Sequence, residues 1–309
     1  MISIVLPTYN GSQYIMYAVD SILAQTYTDI ELIIVDDCST DDTGAIVDEM
    51  AKKDKRIRII HNEINKKLPA SLNIGFENAH GDYFTWTSDD NIYKSNALEI
   101  MLRSLKENPD TDIVYAIYDT IDSEGNLIAA SASQGSKEKN SYIHNWVGAC
   151  FLYKREVHTQ LHGYDENLFL VEDYDFWLRA ARYFNYQKIN QNLYQYRIHA
   201  NSLTSTRNQE IMAKTVELLQ RELEQGYVHA CDTVFLYKYF VDYYYVHVDS
   251  KKFRTYMKLL KQTKDKSIKI NLSYRLAEII GCNAVKKIWD DWYFWENKLK
   301  KKRGETPNE

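Results

Sequence analysis

The chain has 309 residues, of which 45% are hydrophobic and 26% charged, a composition typical of globular proteins with one large domain or two modest ones. Its formal net charge of −5 argues against nucleic acid as the main partner. The cysteines Cys38, Cys150, Cys231 and Cys282 are scattered without a CxxC pair, so we expect free thiols rather than a disulfide framework or a zinc site.

Neither secretion nor membrane insertion is predicted from the sequence. Met1 leads straight into a strand-like run, so we expect no signal peptide. No stretch of about 18 uncharged apolar residues is present, so no membrane-spanning helix is predicted. We therefore expect a cytoplasmic protein.

Strand-like and helix-like segments alternate over the first 115 residues. Short runs of β-branched and aromatic residues predict buried parallel strands, and the segments between them carry apolar residues at helical spacing. This alternation predicts an α/β fold with an open, mostly parallel sheet flanked by helices. The predicted strands are Ile2–Leu6, Ile30–Val35, Ile57–Ile60, Tyr83–Trp86 and Ile113–Ala116, and the predicted helices are one after Ser12, then Thr43–Lys53, Leu68–Ala79 and Ser95–Leu105.

Polar residues follow three of the predicted strands. Ligands bind at the carboxyl ends of strands in open α/β sheets, so these three ends predict one cleft. No GxGxxG motif follows the first strand, which argues against a dinucleotide-binding dehydrogenase. The competing interpretation is that the acidic residues after the second strand cap the next helix. The candidates are Pro7, Thr8, Tyr9 and Asn10 after the first strand, Asp36 and Asp37 after the second, and Ser88, Asp89 and Asp90 after the fourth.

Two adjacent carboxylates, Asp89 and Asp90, stand where the fourth predicted strand ends. Mg²⁺ and Mn²⁺ prefer oxygen ligands, often one or two protein carboxylates together with phosphate oxygens of a substrate. A cation held there could neutralise a departing diphosphate. The competing interpretation is a solvated turn.

Several motifs in this order resemble those of family 2 glycosyltransferases, which have the GT-A fold. The resemblance covers residues 1–205, the predicted catalytic domain. Its motifs are the opening strand Ile4–Asn10, the turn Gln25-Thr26-Tyr27, the second strand with its acidic pair in Glu31–Asp41, the "ALNxG"-like helix Pro69–Gly75 and the strand start Gly81-Asp82-Tyr83.

The resemblance implies roles for the acidic residues. Asp37 would contact the nucleobase and Asp36 the ribose, while Asp90 would be the principal metal ligand and Asp89 would contact the sugar or ribose. Ser88 occupies the first acidic position of the usual Asp-x-Asp motif, so one carboxylate fewer is left for the cation. The remaining donor contacts implied are Pro7, Thr8, Tyr9, Asn10 and Asn73.

A second acidic pair, Glu172-Asp173, resembles the family's "ED" helix start, whose second acid deprotonates the acceptor hydroxyl. This assigns Asp173 as the general base and Glu172 as its partner. Two adjacent carboxylates beside an apolar segment can also have a raised pKa. Alternatively, the acids only favour the N-terminal end of a helix over 173–183.

The segment Tyr194–Thr204 resembles a third family element, "YRxHxxS". It implies that Arg197 contacts the diphosphate and that His199 completes the metal shell. A lone histidine is more often a structural residue. Trp146 stands where the family lines its cleft, and it either stacks on a sugar ring or packs in the core.

The resemblance implies a metal-dependent, inverting glycosyltransferase that uses Mn²⁺ or Mg²⁺. Its donor would be a nucleotide-sugar, most commonly a UDP-sugar, and its acceptor a hydroxyl of a saccharide or lipid-linked saccharide in cell-surface polysaccharide or lipopolysaccharide biosynthesis. One alternative is a catalytically degenerate GT-A nucleotide-binding or scaffold protein, which Ser88 favours. The other, a sugar-nucleotide nucleotidyltransferase, would need a Gly-rich basic loop after the first strand, which is missing.

Residues 206–303 are predicted to form a helical C-terminal extension and residues 304–309 a disordered tail. Trp289, Trp292 and Trp295 recur at helical spacing before the basic run Lys298–Arg303. Such a helix either makes peripheral contact with the inner face of a membrane, where lipid-linked acceptors lie, or packs on its neighbours. A homodimer is a further expectation.

Overall fold

The computed structural model describes residues 1–132, 145–228, 230–263 and 272–287. The chain forms two compact units, the first covering Met1–Leu218 and the second beginning at Leu219. This division falls inside a helix, and the domain boundary expected after residue 205 stays a prediction. The expected disordered tail, 304–309, and the tryptophan-rich basic helix lie outside the described residues.

The first unit is built on a sheet with strand order β3-β2-β1-β4-β8-β6-β9-β5, with β7 paired to β6. Pairs β1–β2, β1–β4, β2–β3 and β6–β9 are parallel, and the other pairs are antiparallel and short. The predicted α/β class with a mostly parallel sheet is therefore confirmed. The strands are β1 Ile2–Thr8, β2 Ile30–Asp36, β3 Ile57–His61, β4 Tyr83–Trp86, β5 Ile92–Tyr93, β6 Ile113–Ile121, β7 Leu127–Ala132, β8 Phe151–Lys154 and β9 Tyr186–Arg197.

Helices cover the sheet. Every residue of β1 and of β2 is buried, as expected for central parallel strands with both faces covered. Burying one aliphatic side chain of this kind, such as Ile4 or Ile33, stabilises the fold by about 1.5–3 kcal/mol. The helices are α1 Ile15–Leu23, α2 Thr43–Lys53, α3 Leu68–Glu77, α4 Ala97–Glu107, α5 Arg155–Leu161, α6 Glu172–Ala180 and α7 Leu203–Thr206.

The second unit is helical in the part that the structure describes, as predicted for the C-terminal extension. Phe253, Met257 and Leu260 are buried along one face of α10, and the rings of Tyr244 and Tyr256 stack 5.8 Å apart. No helix among the described residues is long and apolar enough to cross a membrane. The remaining helices are α8 Asn208–Glu224, which begins in the first unit, α9 Ala230–Val246, α10 Ser250–Gln262 and α11 Leu272–Ile280.

Candidate functional site

The turn after β1 is fixed against the segment that follows β4. Because β1 and β4 are parallel neighbours, their carboxyl ends meet at the same edge of the sheet. There the Thr8 hydroxyl donates a hydrogen bond to the Asp89 carboxylate. Gly11 lies so close that a Cβ at this position would collide with both side chains. The predicted convergence of these two strand ends is therefore present.

Asp89 is a carboxyl group with an unusual affinity for its proton. Burial and the neighbouring charge of Asp90 raise its pKa to about 7, although the hydrogen bond from Thr8 acts in the opposite direction. Two ionised carboxylates in a poorly solvated site repel each other. A positive ligand would relieve this repulsion.

Asp90 pairs with His199: the Oδ2 of Asp90 lies 2.9 Å from Nε2 of His199. Burial raises the pKa of Asp90, while His199 opposes that shift. The other carboxylate oxygen, Oδ1, is buried and has no hydrogen-bond partner among the described residues. The His199 ring also packs on Tyr14, with centroids 5.0 Å apart.

These donors fit a divalent cation. The unsatisfied, buried Oδ1 of Asp90 is a natural ligand for such an ion, and the imidazole of His199 lies beside the same carboxylate, 2.9 Å from its Oδ2. Within the described residues no three His, Cys, Asp or Glu side chains are grouped as a metal site. The other ligands would therefore come from a substrate or from water, as is common for Mg²⁺.

Arg197 is buried, only 4% exposed, and its guanidinium is bonded to backbone carbonyls. Nε donates to the Asp90 carbonyl at 2.9 Å, and Nη1 donates to the carbonyls of Asp122 and Ser123. The guanidinium also lies over the Tyr14 ring, 4.7 Å from its centroid. In this conformation Arg197 supports the chain beneath Asp90, and its implied contact with a diphosphate stays a prediction.

The acidic pair Asp36-Asp37 at the carboxyl end of β2 is buried, and both carboxylates form hydrogen bonds with other residues of the protein. Asp36 contacts Nδ1 of His61 at 3.0 Å. Asp37 accepts hydrogen bonds from the Asn62 amide at 2.8 Å and from the backbone N–H groups of Lys66 and Lys67. The pair therefore fixes the loop after β3, and its implied base and ribose contacts stay predictions.

The other predicted residues at the carboxyl end of β1 differ in exposure. Pro7 is buried within the strand, whereas Tyr9 and Asn10, which follow it, are exposed. The Asn10 side-chain oxygen accepts a hydrogen bond from the Thr40 N–H at 2.8 Å, and the Asn10 N–H donates to Ser39 Oγ at 3.0 Å. These bonds join the ends of β1 and β2 around an exposed tyrosine, a surface suited to a planar ligand.

Three further residues that were predicted to contact the donor or the cleft, namely Asn73, Trp146 and Ser88, lie in different environments. Asn73 bonds to the backbone of Tyr164 through both ends of its amide and also reaches Glu166, so it holds the loop before α6. Trp146 is 1% exposed and packs against Tyr186, with centroids 5.8 Å apart, which is the core-packing interpretation. Ser88 is partly exposed beside the acidic pair.

The second acidic pair opens α6. Glu172 is 4% exposed and accepts a hydrogen bond at 2.7 Å from the N–H of Leu170, whose φ is +83°. Burial and the charge of Asp173 raise the pKa of Glu172. The partly exposed Asp173 accepts a bond from the Tyr174 N–H and one from Asn145 Nδ2 at 2.6 Å, and burial raises its pKa as well. Asp173 is therefore the more accessible acid of the pair.

Tyr196 connects the two acidic pairs electrostatically. Burial is the main cause that raises its pKa, and the charges of Asp90 and Asp173 both raise it further. One acid from each pair therefore acts on the pKa of the same phenol.

Sequence comparison shows to which family the chain belongs. A family model described as glycosyl transferase family 2 matches residues 3–162. The chain belongs to glycosyl transferase family 2. The predicted family is thus confirmed. Glu172 and Asp173 lie beyond the residues that the family model matches, so their assignment as the general base and its partner stays a prediction.

Curated relatives of this family 2 chain have about one third of their residues in common with it. An uncharacterized glycosyltransferase of Rickettsia prowazekii is 35% identical over 215 residues, which span 67% of this chain and 66% of the relative. Glycosyltransferase GlyG of Streptococcus pneumoniae serotype 4 is 32% identical over 225 residues, spanning 67% and 73%. The chain thus matches about two thirds of the length of the Rickettsia relative.

Solved structures of TarS from S. aureus are similar in fold. The TarS complex with UDP has a TM-score of 0.60 at 18% identity, covering 79% of this chain and 71% of TarS. The complex with UDP-GlcNAc has a TM-score of 0.61 at 16% identity, covering 94% and 91%. This similarity confirms the GT-A type of fold.

Several residues of the site carried no signal that the sequence analysis used. Asn145 stands one position before the predicted Trp146, Tyr14 lies in the turn before α1, and Tyr196 lies within the quoted "YRxHxxS" segment. His61 is the last residue of β3, and its contact with Asp36 depends on the β2–β3 register, for which the sequence carries no signal.

Proposed function

We propose that this family 2 chain is an inverting glycosyltransferase, which moves a sugar from a nucleotide diphosphate donor to a hydroxyl of an acceptor. The observation that carries the proposal is the carboxylate of Asp90, whose buried Oδ1 has no hydrogen-bond partner among the described residues and whose Oδ2 lies 2.9 Å from Nε2 of His199. Asp89 and Asp90 suit a cation and a diphosphate, and Asp173 suits a hydroxyl.

Asp173 acts as the general base. It accepts the proton of the acceptor hydroxyl, whose oxygen forms a bond to the anomeric carbon of the donor. The bond from that carbon to the diphosphate oxygen breaks, and the nucleoside diphosphate leaves with the electron pair. A single displacement of this kind inverts the anomeric centre and needs no covalent intermediate with the protein. Glu172 accepts a hydrogen bond from the Leu170 N–H at the start of α6, next to Asp173. Burial raises the pKa of Asp173, and a raised pKa makes a carboxylate a better base.

Asp90 and His199 would hold a divalent cation, Mn²⁺ or Mg²⁺, with Asp89 beside it. When bound, such a cation neutralises charge on the leaving diphosphate. Thr8 and Gly11 keep Asp89 in place, and Arg197 keeps the backbone of Asp90 in place.

The donor is a UDP-sugar in this proposal, because the similar TarS structures were solved with UDP and UDP-GlcNAc. The acceptor is a saccharide or lipid-linked saccharide of a cell-surface polysaccharide or lipopolysaccharide pathway. Such an acceptor places the enzyme in the cytoplasm, at the inner face of the membrane, and a homodimer belongs to the same proposal.

Thermal unfolding in the presence of UDP, GDP, dTDP or CMP, each with and without Mn²⁺, tests the proposal on the wild type and Asp90→Ala. A ligand at about a hundredfold excess over its Kd stabilises the native state by about 2.7 kcal/mol. Stabilisation by UDP that requires both Mn²⁺ and Asp90 supports the proposal. No stabilisation by any nucleotide would contradict it and favour the degenerate scaffold.

A further inference from the structure

The Asn145 amide stands beside the proposed base with one of its two polar groups unused. Its Nδ2 donates to Asp173 Oδ2 at 2.6 Å. Its Oδ1 is buried and has no hydrogen-bond partner in the described part of the chain. A buried polar atom without a partner is costly, and such atoms occur where a ligand completes the hydrogen bonding.

We infer that Asn145 binds and positions the acceptor: its nitrogen orients the Asp173 carboxylate, and its oxygen accepts a hydrogen bond from a second hydroxyl of the acceptor. This inference rests on the proposed function of Asp173. It assigns the acceptor to a chemical class, namely sugars or polyols with two neighbouring hydroxyl groups.

The geometry of an amide explains this selectivity. Oδ1 and Nδ2 belong to one small planar group, so a donor to Oδ1 stands next to whatever bonds to the Asp173 carboxylate. Oδ2 of Asp173 accepts a hydrogen bond from Asn145, and Oδ1 accepts one from the Tyr174 N–H. A carboxylate oxygen can accept about two hydrogen bonds, so each oxygen has room for another. One hydroxyl can therefore reach Asp173 while its neighbour reaches Asn145.

Orientation is the second part of this role. The hydrogen bond from Asn145 stabilises the ionised form of Asp173 and so opposes the burial that raises its pKa. Removing the amide leaves the carboxylate held by the Tyr174 N–H of its own helix. Loss of Asn145 is then expected to raise the pKa of Asp173 and to free the carboxylate to rotate.

The first test needs no acceptor. The carboxyl carbons of ¹³C-labelled aspartate are titrated in the wild type, in Asn145→Ala and in the matched control Asn192→Ala, with Asp173→Asn used to assign the signal. Asn192 also has a buried Oδ1 without a partner in the described residues, but it lies on β9. Asn145→Ala is expected to raise the apparent pKa of Asp173 by about one pH unit, whereas Asn192→Ala leaves it unchanged. An unchanged titration in Asn145→Ala would overturn the inference.

The second test measures UDP release from UDP-GlcNAc and UDP-glucose with methyl glycosides and their monodeoxy analogues as probe acceptors. The wild type is expected to prefer a glycoside over the analogue that lacks the neighbouring hydroxyl by about fivefold to tenfold, and Asn145→Ala is expected to lose that preference. Preference retained in Asn145→Ala would overturn the acceptor role. No UDP release with any probe would instead overturn the proposed function, while the carboxyl titration still decides whether Asn145 orients Asp173.

Discussion

The carboxylate of Asp90 and the imidazole of His199 lie 2.9 Å apart although 109 residues separate them in the sequence. Strands β5 and β9 are antiparallel, and Ile92 pairs with Gln195. This register brings the segment before β5, which holds Asp90, next to the segment after β9, which holds His199. Arg197 completes the connection through the Asp90 carbonyl. The short pairing of β5 with β9 thus brings together the two parts of the proposed cation site, which are far apart in the sequence.

His199→Ala is expected to weaken the effect of Mn²⁺ on nucleotide binding. Removing the imidazole takes away one of two proposed protein ligands, so the loss of metal affinity should be at least the roughly 10- to 100-fold that is typical when an outer-shell partner of a ligand is removed. The measurement is the midpoint of a Mn²⁺ titration of thermal stability at fixed UDP. His247→Ala, which changes an exposed histidine of the second unit, is the control. Equal midpoints for His199→Ala and the wild type would refute the assignment.

Gly11→Ala is expected to abolish UDP stabilisation with little change in overall folding. The new Cβ collides with the Asp89 carboxylate and the Thr8 hydroxyl, so the turn after β1 must move away from the site. Calorimetry of UDP binding measures the effect, with Gln13→Ala at a nearby exposed position as the control. Normal affinity in Gly11→Ala would show that the close approach of Gly11 to Asp89 is unimportant.

Asp37→Asn is expected to destabilise the first unit by about 1–3 kcal/mol. Asp37 accepts three hydrogen bonds, two at Oδ1 and one at Oδ2. Asparagine keeps one acceptor oxygen, but its NH₂ group cannot accept, so at least one of the three bonds is lost. Urea unfolding measures the loss, and Asp20→Asn at an exposed position is the control. Unchanged stability together with lost UDP binding would instead indicate the base contact implied by the family resemblance.

Glu172→Gln is expected to remove part of the decrease in stability at alkaline pH. Burial raises the pKa of Glu172 above the ordinary value of 4.5 to about 8, so folding favours the protonated form. The wild type therefore loses stability as the pH rises from the pKa of Glu172 in the unfolded chain to its higher pKa in the folded protein. Above that range, the ionised and buried Glu172 carboxylate destabilises the folded protein. Melting temperatures from pH 5 to 9 should diverge in favour of Glu172→Gln, by about 2–4 °C for each kcal/mol recovered. Parallel curves would contradict the raised pKa.

Sequence patterns identified five of the nine strands of the sheet, namely β1, β2, β3, β4 and β6, and the strand ends that carry the candidate residues. Uninterrupted apolar runs such as Leu32–Val35 identify central strands, and the polar residues after them lie at the carboxyl edge. Strands β5, β7, β8 and β9 were not identified. For β5 and β8 the reason is that two to four residues carry too little periodicity. The 12-residue β9 has a mixed pattern of buried and partly exposed residues, without the continuous apolar run of a central strand.

The contacts of individual site residues depended on registers that the sequence does not reveal. Asp36 contacts His61 because these two residues are paired in the register of β2 with β3. Arg197 reaches the Asp90 carbonyl because β9 pairs with β5. Trp146 is buried through tertiary packing that its local sequence does not determine. Motifs thus located the site but did not distinguish a ligand contact from a structural bond.

Asp173→Asn tests the central claim most directly. The amide keeps the shape of the side chain and an oxygen for the Tyr174 N–H, but it cannot take a proton from a hydroxyl. UDP release from UDP-sugars in the presence of methyl glycosides should fall by about 10²- to 10⁴-fold, while stabilisation by UDP and Mn²⁺ stays at the wild-type level. Turnover close to that of the wild type would contradict the assignment of Asp173 as the base.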